Sequence, residues 1–504
     1  MNFTKSKIIL SIVVLVFVIA IFAFGLTLYF THVPIQYQYR VESVEPKAND
    51  KIKVGIISDC QLPQVEAHLY GWDYMTVTGG PSHLIKALQY FKTQDVDMIV
   101  LNGDVVNSTG DYAAYSAYNK ILDYVFGEDR ENMPHIIYPM GNHEFYGGNQ
   151  EHTYYKATKL PLNTRTIVNG YSFISISNSK LQKGDEELAQ SNGTLADGTY
   201  NPKRINFLKE QLSAAAKDDP EKPIFVFLHM PIDSSINGGH WATPQYEEIY
   251  DILKQYPQAV VFTSHSHYCM SDERSIMQKD FTMVNTGTSS YFDFDWIDLE
   301  TKENNKFYGL TTNDLLKGTA EVLKNRDYLI NPQMLGINKS DDVPYRDLVN
   351  NGMILNIDTK ANSFTLEKIN LNNGLPFGDK FEMNEFSKDS FTRTPKLLKN
   401  GEEPVFKNKN IDVQVKNNNA VVTFDSADPK TPVKYYLYEL EDENGNIIPI
   451  RFFGKNYILG SELEYSEQNI VYNLKAGDYK LRVYAVNSFN LKSSQYLSTE
   501  FTIE

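Results

Sequence analysis

Cysteine is nearly absent from this sequence: Cys60 and Cys269 are the only two in 504 residues, and they form no CxxC pair. That excludes a disulfide-stapled scaffold and a thiolate zinc cluster. Basic residues are also in deficit, 48 against 63 acidic, for a net charge of −15. Such a chain repels phosphate backbones, so no nucleic-acid partner is expected. Charge of either sign is missing from Ile8 to Phe30. With 42% hydrophobic and 22% charged residues the chain is not disordered, and its length implies two or three folded units.

The uncharged N-terminal run is long enough, at about 1.5 Å per residue, to cross a hydrocarbon core of about 30 Å. Lys5 and Lys7 precede it and the next basic residue is Arg40, so the positive-inside bias leaves residues 1–7 in the cytoplasm and exports the rest. Residues 8–30 are therefore expected to be a transmembrane signal anchor. A signal peptide cleaved after Gly25 is the alternative. Residues 31–50, with Pro34 and Pro46 and no periodicity, read as a linker that lifts the folded part off the membrane.

From Lys51 short apolar runs alternate with helical patterns: KIKVGIISD, DMIVLNGD, HIIYPMGNHE, YSFISIS, PIFVFLHMP, AVVFTSHSH and FTMVNTGT. Between them, SHLIKALQYFKTQ and INFLKEQLSAAAK are apolar at helical spacing, the second entered through Asn201 and Pro202 as cap and first helical residue. This is a layered α/β pattern. Several runs end on a residue that can bind a metal: Asp59 and Gln61, Asp104, Asn142 and His143, His229, then His265 and His267. In open α/β sheets the ligand crevice lies beyond the carboxyl ends of the strands, where residues distant in sequence converge. One histidine at a strand end is usually structural. Four of the ten, with two aspartates and an asparagine, point to a metal site.

In that order, Asp59-x-Gln61, Gly103-Asp104, Gly141-Asn142-His143-Glu144, His229 and His265-x-His267 resemble the five blocks of the calcineurin-like metallophosphoesterases. The resemblance spans residues 51–390 and includes a late hairpin pattern, GMILNIDTKANSFTLEKIN. It implies a four-layer α-β-β-α sandwich holding two divalent ions (Mn, Fe or Zn). One ion would take Asp59, Gln61, Asp104 and His267, and the other Asp104, Asn142, His229 and His265, with Asp104 bridging. A metal-bridging hydroxide would then attack phosphorus, with His143 stabilising the transition state or protonating the leaving oxygen. An unidentified acidic group is expected to partner His143, and Glu144 is expected to be a structural hydrogen-bonding residue.

Two departures stand out. Gln61 replaces the usual histidine of the first block; its harder amide oxygen is expected to shift that position toward Mn²⁺ or Fe²⁺ and away from Zn²⁺. Ser264 replaces the usual glycine before HxH and removes no ligand. The fold would bring the loops of Cys60 and Cys269 to the same site; unpaired thiols are favoured over a disulfide. Residues 291–345 look like an elaboration shaping substrate access. Tyr291, Phe292, Phe294 and Trp296 read as core packing ahead of stacking on a base or sugar, and His240 as an idle loop histidine ahead of a substrate contact.

Residues 391–404 read as a second linker. Residues 405–504 alternate apolar and polar positions in short runs and are similar to a fibronectin type III-like β-sandwich, with Leu474 and Tyr479 placed as in a tyrosine corner. The expected protein is a single-pass cell-membrane phosphoesterase, its catalytic domain extracytoplasmic. Its substrate would be a phosphate mono- or diester: a small molecule, a lipid head group or a cell-wall component. Two other functions fit the motifs less well: a surface binding or adhesion protein with a degenerate, non-catalytic site, and a hydrolase of non-phosphate esters.

Overall fold

The structure is a computed structural model. It describes residues 13–23, 33–62, 80–107, 112–145, 150–179, 198–239, 242–243, 245–290, 350–399, 403–416, 418–428, 433–460, 466–471 and 474–504. His240 and the four aromatics from Tyr291 to Trp296 lie outside these, as does most of the expected membrane span. Residues 13–23 are helical with exposed side chains. Among the described residues no helix is long and apolar enough to cross a membrane.

The strands of the larger unit begin with β1 (Tyr39–Val44), β2 (Lys51–Ile57), β3 (Met98–Leu101), β4 (His135–Ile137), β5 (Asn163–Val168), β6 (Tyr171–Ile176) and β7 (Ile224–Phe227). They continue as β8 (Ala259–Thr263), β9 (Ile276–Gln278), β10 (Thr282–Asn285), β11 (Asn351–Asp358), β12 (Ser363–Asn370), β13 (Leu375–Pro376) and β14 (Phe381–Met383). Two sheets result, ordered β1-β5-β6-β7-β8-β10-β9 and β13-β12-β11-β2-β3-β4, with β14 added beside β12. The central strands β3, β6, β7, β8 and β10 are buried along their whole length; β3 (MIVL), β7 (IFVF) and β8 (AVVFT), which pair only in parallel, are the near-continuous apolar runs that burial on both faces requires.

Three hydrophobic cores define the layers. Ile52, Val54, Ile56 and Met98 of one sheet meet Phe173, Phe225, Phe227 and Phe262 of the other in a central core. Behind the β2 sheet, the helices Gly80–Thr93 and Tyr112–Phe126 pack through Leu84, Leu88, Tyr118 and Leu122 onto Ile99 and Leu101. Behind the β7 sheet, the helix Pro202–Asp218 buries Ile205, Leu208 and Leu212 against Ile174 and Val226. Its start is the one expected, with Asn201 Oδ1 accepting from Arg204 N at 3.1 Å ahead of Pro202. The order is helix, sheet, sheet, helix. The late hairpin supplies β11 and β12, and β11 runs antiparallel beside β2.

Both expected linkers carry structure. Within 31–50, β1 pairs in parallel with β5 along six residues, Tyr39↔Asn163 to Val44↔Val168. It is an edge strand with no fully buried residue, so it lacks the apolar run that marked the central strands. Within 391–404, Phe391 enters the central core, Arg393 Nε donates to Ile276 O at 3.1 Å, and Pro395–Lys399 is helical. These are tertiary contacts that no local pattern announces.

The C-terminal strands are β15 (Ile411–Lys416), β16 (Asn419–Asp425), β17 (Tyr435–Asp442), β18 (Ile447–Phe453), β19 (Ser466–Val471), β20 (Gly477–Val486) and β21 (Leu497–Ile503). They form a three-stranded sheet, β15-β16-β19, and a four-stranded one, β18-β17-β20-β21. All pairs are antiparallel, and Phe424, Tyr436, Tyr438 and Leu481 share one core. Tyr479 Oη donates to Lys475 O at 3.0 Å, the hydrogen bond of a tyrosine corner.

Candidate metal centre

Each ligand candidate follows the carboxyl end of a strand: Asp59 and Gln61 follow β2, Asp104 β3, Asn142 β4, His229 β7, and His265 and His267 β8. Five of them take backbone angles that side chains rarely adopt: φ is +53° at Asp59, +46° at Gln61, +50° at Asp104, +66° at His265 and +56° at His267. Left-handed non-glycine residues cost energy singly, and their concentration here marks a built site. Neighbouring glycines make room for it. A Cβ on Gly103 would stand 2.4 Å from His229 Nδ1, and one on Gly141 would stand 2.2 Å from Asp104 Oδ1.

The side chains fall into two adjoining groups. In one, His229 Nε2 lies 3.0 Å from Asp104 Oδ2 and 3.1 Å from Asn142 Oδ1. The ligand atoms of Asp104, His229 and His265 all lie within 4.8 Å of one another, a spacing that could hold a metal ion. In the other, His267 Nε2 lies 3.2 Å from Asp59 Oδ1 and 3.1 Å from Gln61 Nε2. Gln61 thus turns its amide nitrogen toward His267, and ligation by Gln61 requires a half-turn of that amide.

The donor set fits cations. His229 Nδ1 lies 2.9 Å from Asn102 O, and a carbonyl can only accept, so Nδ1 carries a proton and neutral His229 points its Nε2 lone pair at two oxygens. Asp59 Oδ1 and Asp104 Oδ2 are buried yet accept no hydrogen bond in good geometry. Electron pairs converge where positive charge is wanted. Although burial opposes the imidazolium, the charge of Asp104 pushes His229 up to about 9. Burial and the charge of His229 push His265 down to about 3, which keeps its imidazole neutral. Burial works against ionised Asp104, but His229 and His143 hold it well below the usual carboxylate range.

His143 stands at the mouth with its side chain 17% exposed, Nε2 3.9 Å from Asp104 Oδ2 and 3.5 Å from Gln61 Nε2. Its backbone N–H donates to Asp104 Oδ1 at 2.8 Å. Its Nδ1 lies 3.3 Å from the backbone oxygen of Asn107, where an acidic partner was expected. Glu144 is fully buried. It accepts from the N–H groups of Asp104, Val105, Val106 and Gly141 and from Tyr138 Oη at 2.7–3.2 Å, so it fastens the Asp104 turn to the Asn142 turn.

Two hydroxyls have a supporting role that the sequence did not show, although Ser264 already stood out as a departure from the family pattern. Ser264 Oγ lies 2.9 Å from His229 Nδ1 and 2.9 Å from Asn102 O, and Thr288 Oγ1 lies 3.1 Å from His267 Nδ1. Each orients an imidazole through the nitrogen that faces away from the centre. Cys60 and Cys269 are buried free thiols, both raised to about 12 by burial.

The model of the calcineurin-like phosphoesterase family matches residues 52–269. These residues are a calcineurin-like phosphoesterase domain. The match covers every ligand candidate from Asp59 to His267. A dimetal phosphatase from Danio rerio is 15% identical, covering 47% of this chain and 87% of its own, with a TM-score of 0.35. A protein from Staphylococcus aureus assigned as a 5'-nucleotidase, solved with alpha-ketoglutarate, is 14% identical over 47% of this chain and 49% of its own, with a TM-score of 0.29. No curated protein matches the chain. The domain's ligand candidates follow β2, β3, β4, β7 and β8, and the family match supports a metal-dependent phosphoester hydrolase.

Proposed function

We propose that the chain is a membrane-anchored, extracytoplasmic phosphoesterase that binds two divalent ions and hydrolyses phosphate mono- or diesters. The observation that carries the reading is His229, whose Nε2 meets Asp104 and Asn142 oxygens at 3.0 and 3.1 Å while Nδ1 is already committed. Asp104, Asn142, His229 and His265 would hold one ion, and Asp59, His267, Asp104 and a turned Gln61 the other. The amide of Gln61 favours Mn²⁺ or Fe²⁺ there. When bound, such ions supply Lewis acidity and a water acidic enough to attack phosphorus near neutral pH.

The chain's own residues do the rest. Asp104, which stands in the His229 group, would have to serve both ions, and Glu144 keeps its turn in place. With Nδ1 turned to Asn107 O, His143 presents Nε2 to the mouth. Burial lowers its pKa, and a phosphate dianion beside it favours the imidazolium again. That arms it to steady the transition state or to pass a proton to the leaving oxygen. The anchor rests on the uncharged run Ile8–Phe30 and on the exposed apolar side chains of its described part, such as Phe17 at 67% and Phe22 at 68%.

Elemental analysis and calorimetric titration of chelator-stripped protein test the metal reading: about two ions per chain are expected, with loss of tight binding in Asp104→Asn. A chain that takes up none would overturn it. Carbonate-resistant recovery with membranes, for the full chain but not for residues 33–504, is the expected sign of the anchor; equal solubility of both would remove it.

A further inference from the structure

The C-terminal sandwich docks on the loop that follows the last two ligands. After His267 the chain runs through Tyr268–Asp272 to the turn Glu273–Ser275. Part of this loop is held from within the phosphoesterase domain: Asn237 Nδ2 donates to Cys269 O at 3.1 Å and Lys368 Nζ to Met270 O at 2.7 Å. The rest is held by the sandwich, through the short helix Lys455–Leu459. Tyr457 O accepts from Cys269 Sγ at 2.8 Å and from Ser271 Oγ. Tyr457 Oη donates to Asp272 Oδ2 at 3.0 Å.

Tyr457 is itself 6% exposed and shares the central core with Met270, Tyr435 and Val486. A second contact lies alongside, where Ser488 N donates to Glu273 Oε2 and Glu273 N to Ser488 Oγ, both at 3.3 Å. Asp272 is 1% exposed and receives Arg274 Nε and Nη2 at 3.0 Å each. Left-handed His265 and His267 need a loop that cannot relax, because strained backbone persists only where its surroundings over-determine it. A dangling module would bury none of this.

We propose that the C-terminal sandwich is a positioning element of the metal centre, with Tyr457 as its positioning residue, holding the loop that sets His265 and His267. This rests on the metal reading above. The buried thiol of Cys269 then has a role: it ties the ligand loop to the second unit.

The test compares Tyr457→Phe, Tyr457→Ala and Leu481→Ala in residues 33–504. Leu481 lies in the sandwich core, so its variant loosens the sandwich away from the loop. Two quantities are read: Mn²⁺ affinity by calorimetry, and hydrogen exchange of amides 268–272 in metal-free protein. Tyr457→Ala is expected to weaken Mn²⁺ binding about tenfold, in the range of outer-shell losses, and to raise exchange at 268–272. Tyr457→Phe is expected to do both to a smaller extent, and Leu481→Ala, which loosens the element that holds the loop without touching the loop itself, is expected to raise exchange at 268–272 as well. Unchanged affinity and exchange in Tyr457→Phe, or a loop whose exchange stays the same when Leu481→Ala loosens the sandwich, would overturn the proposal. Exchange needs no metal, so a parent protein that binds no Mn²⁺ would sink the metal reading while the exchange arm still decides the loop's support.

Discussion

At the residue scale the centre divides into atoms that face its interior and atoms that aim them. Thr288 lies 3.1 Å from His267 Nδ1 and has no access to a substrate, so Thr288→Val should leave the fold intact and weaken metal binding by about 10–100-fold. Ser264→Gly should weaken it less, because Asn102 O still holds His229 Nδ1 at 2.9 Å. Calorimetric titration checks both; unchanged affinity in Thr288→Val would deny it an orienting role. His143→Ala should keep metal affinity and lower turnover by about 10²–10⁴-fold, the usual contribution of a positioned acid or base; a fall in affinity of the same size would make it a ligand. The inward residues were legible because each closes a continuous apolar run. The hydroxyls that aim them were not, since Ser264 and Thr288 stand in polar strand ends that look like any solvated turn. The half-turn asked of Gln61 is a side-chain fact beyond sequence.

At the scale of elements, strands buried on both faces could be read directly, as AVVFT and IFVF show. The edge strand β1 could not. Its sequence, YRVESV, keeps one face half-wet, and its identity comes from the register with β5. A chain begun at Lys51 should therefore unfold at lower temperature than one begun at Val33 and scatter more light, because the bared β5 edge offers unpaired N–H and C=O groups. Identical melting and scattering would return residues 31–50 to a linker. The same blindness applies to Phe391 and Arg393, whose contacts with the central core and Ile276 are wholly tertiary. Helix starts fared better, since Asn201 and Pro202 carry their instructions locally.

At the scale of the whole molecule, the two units are joined through Tyr457 and Ser488, and the stability of the smaller one carries a pH signature. Glu467 is fully buried and takes Ser426 Oγ at 2.7 Å and Lys455 N at 3.0 Å. Burial raises it from 4.5 to about 7. A folded-state pKa above the unfolded one gives stability that is present below about 4.5 and gone above about 7. Glu467→Gln should accordingly flatten the pH dependence in that window and raise stability at pH 8 by at most about 3 kcal/mol. Melting curves from pH 4.5 to pH 8 check it, and a variant less stable than the parent at pH 8 would show that the fold favours the ionised carboxylate instead of penalising it.

The most direct test of the central claim is hydrolysis of p-nitrophenyl phosphate and bis(p-nitrophenyl) phosphate by residues 33–504, with Mn²⁺, Fe²⁺, Zn²⁺ or a chelator. The expected result is turnover that requires a metal, is greatest with Mn²⁺ or Fe²⁺, and vanishes in Asp104→Asn while the variant stays folded. Turnover that survives the chelator or the Asp104→Asn substitution would contradict the claim, because the chemistry would then come from somewhere other than the centre built around Asp104 and His229.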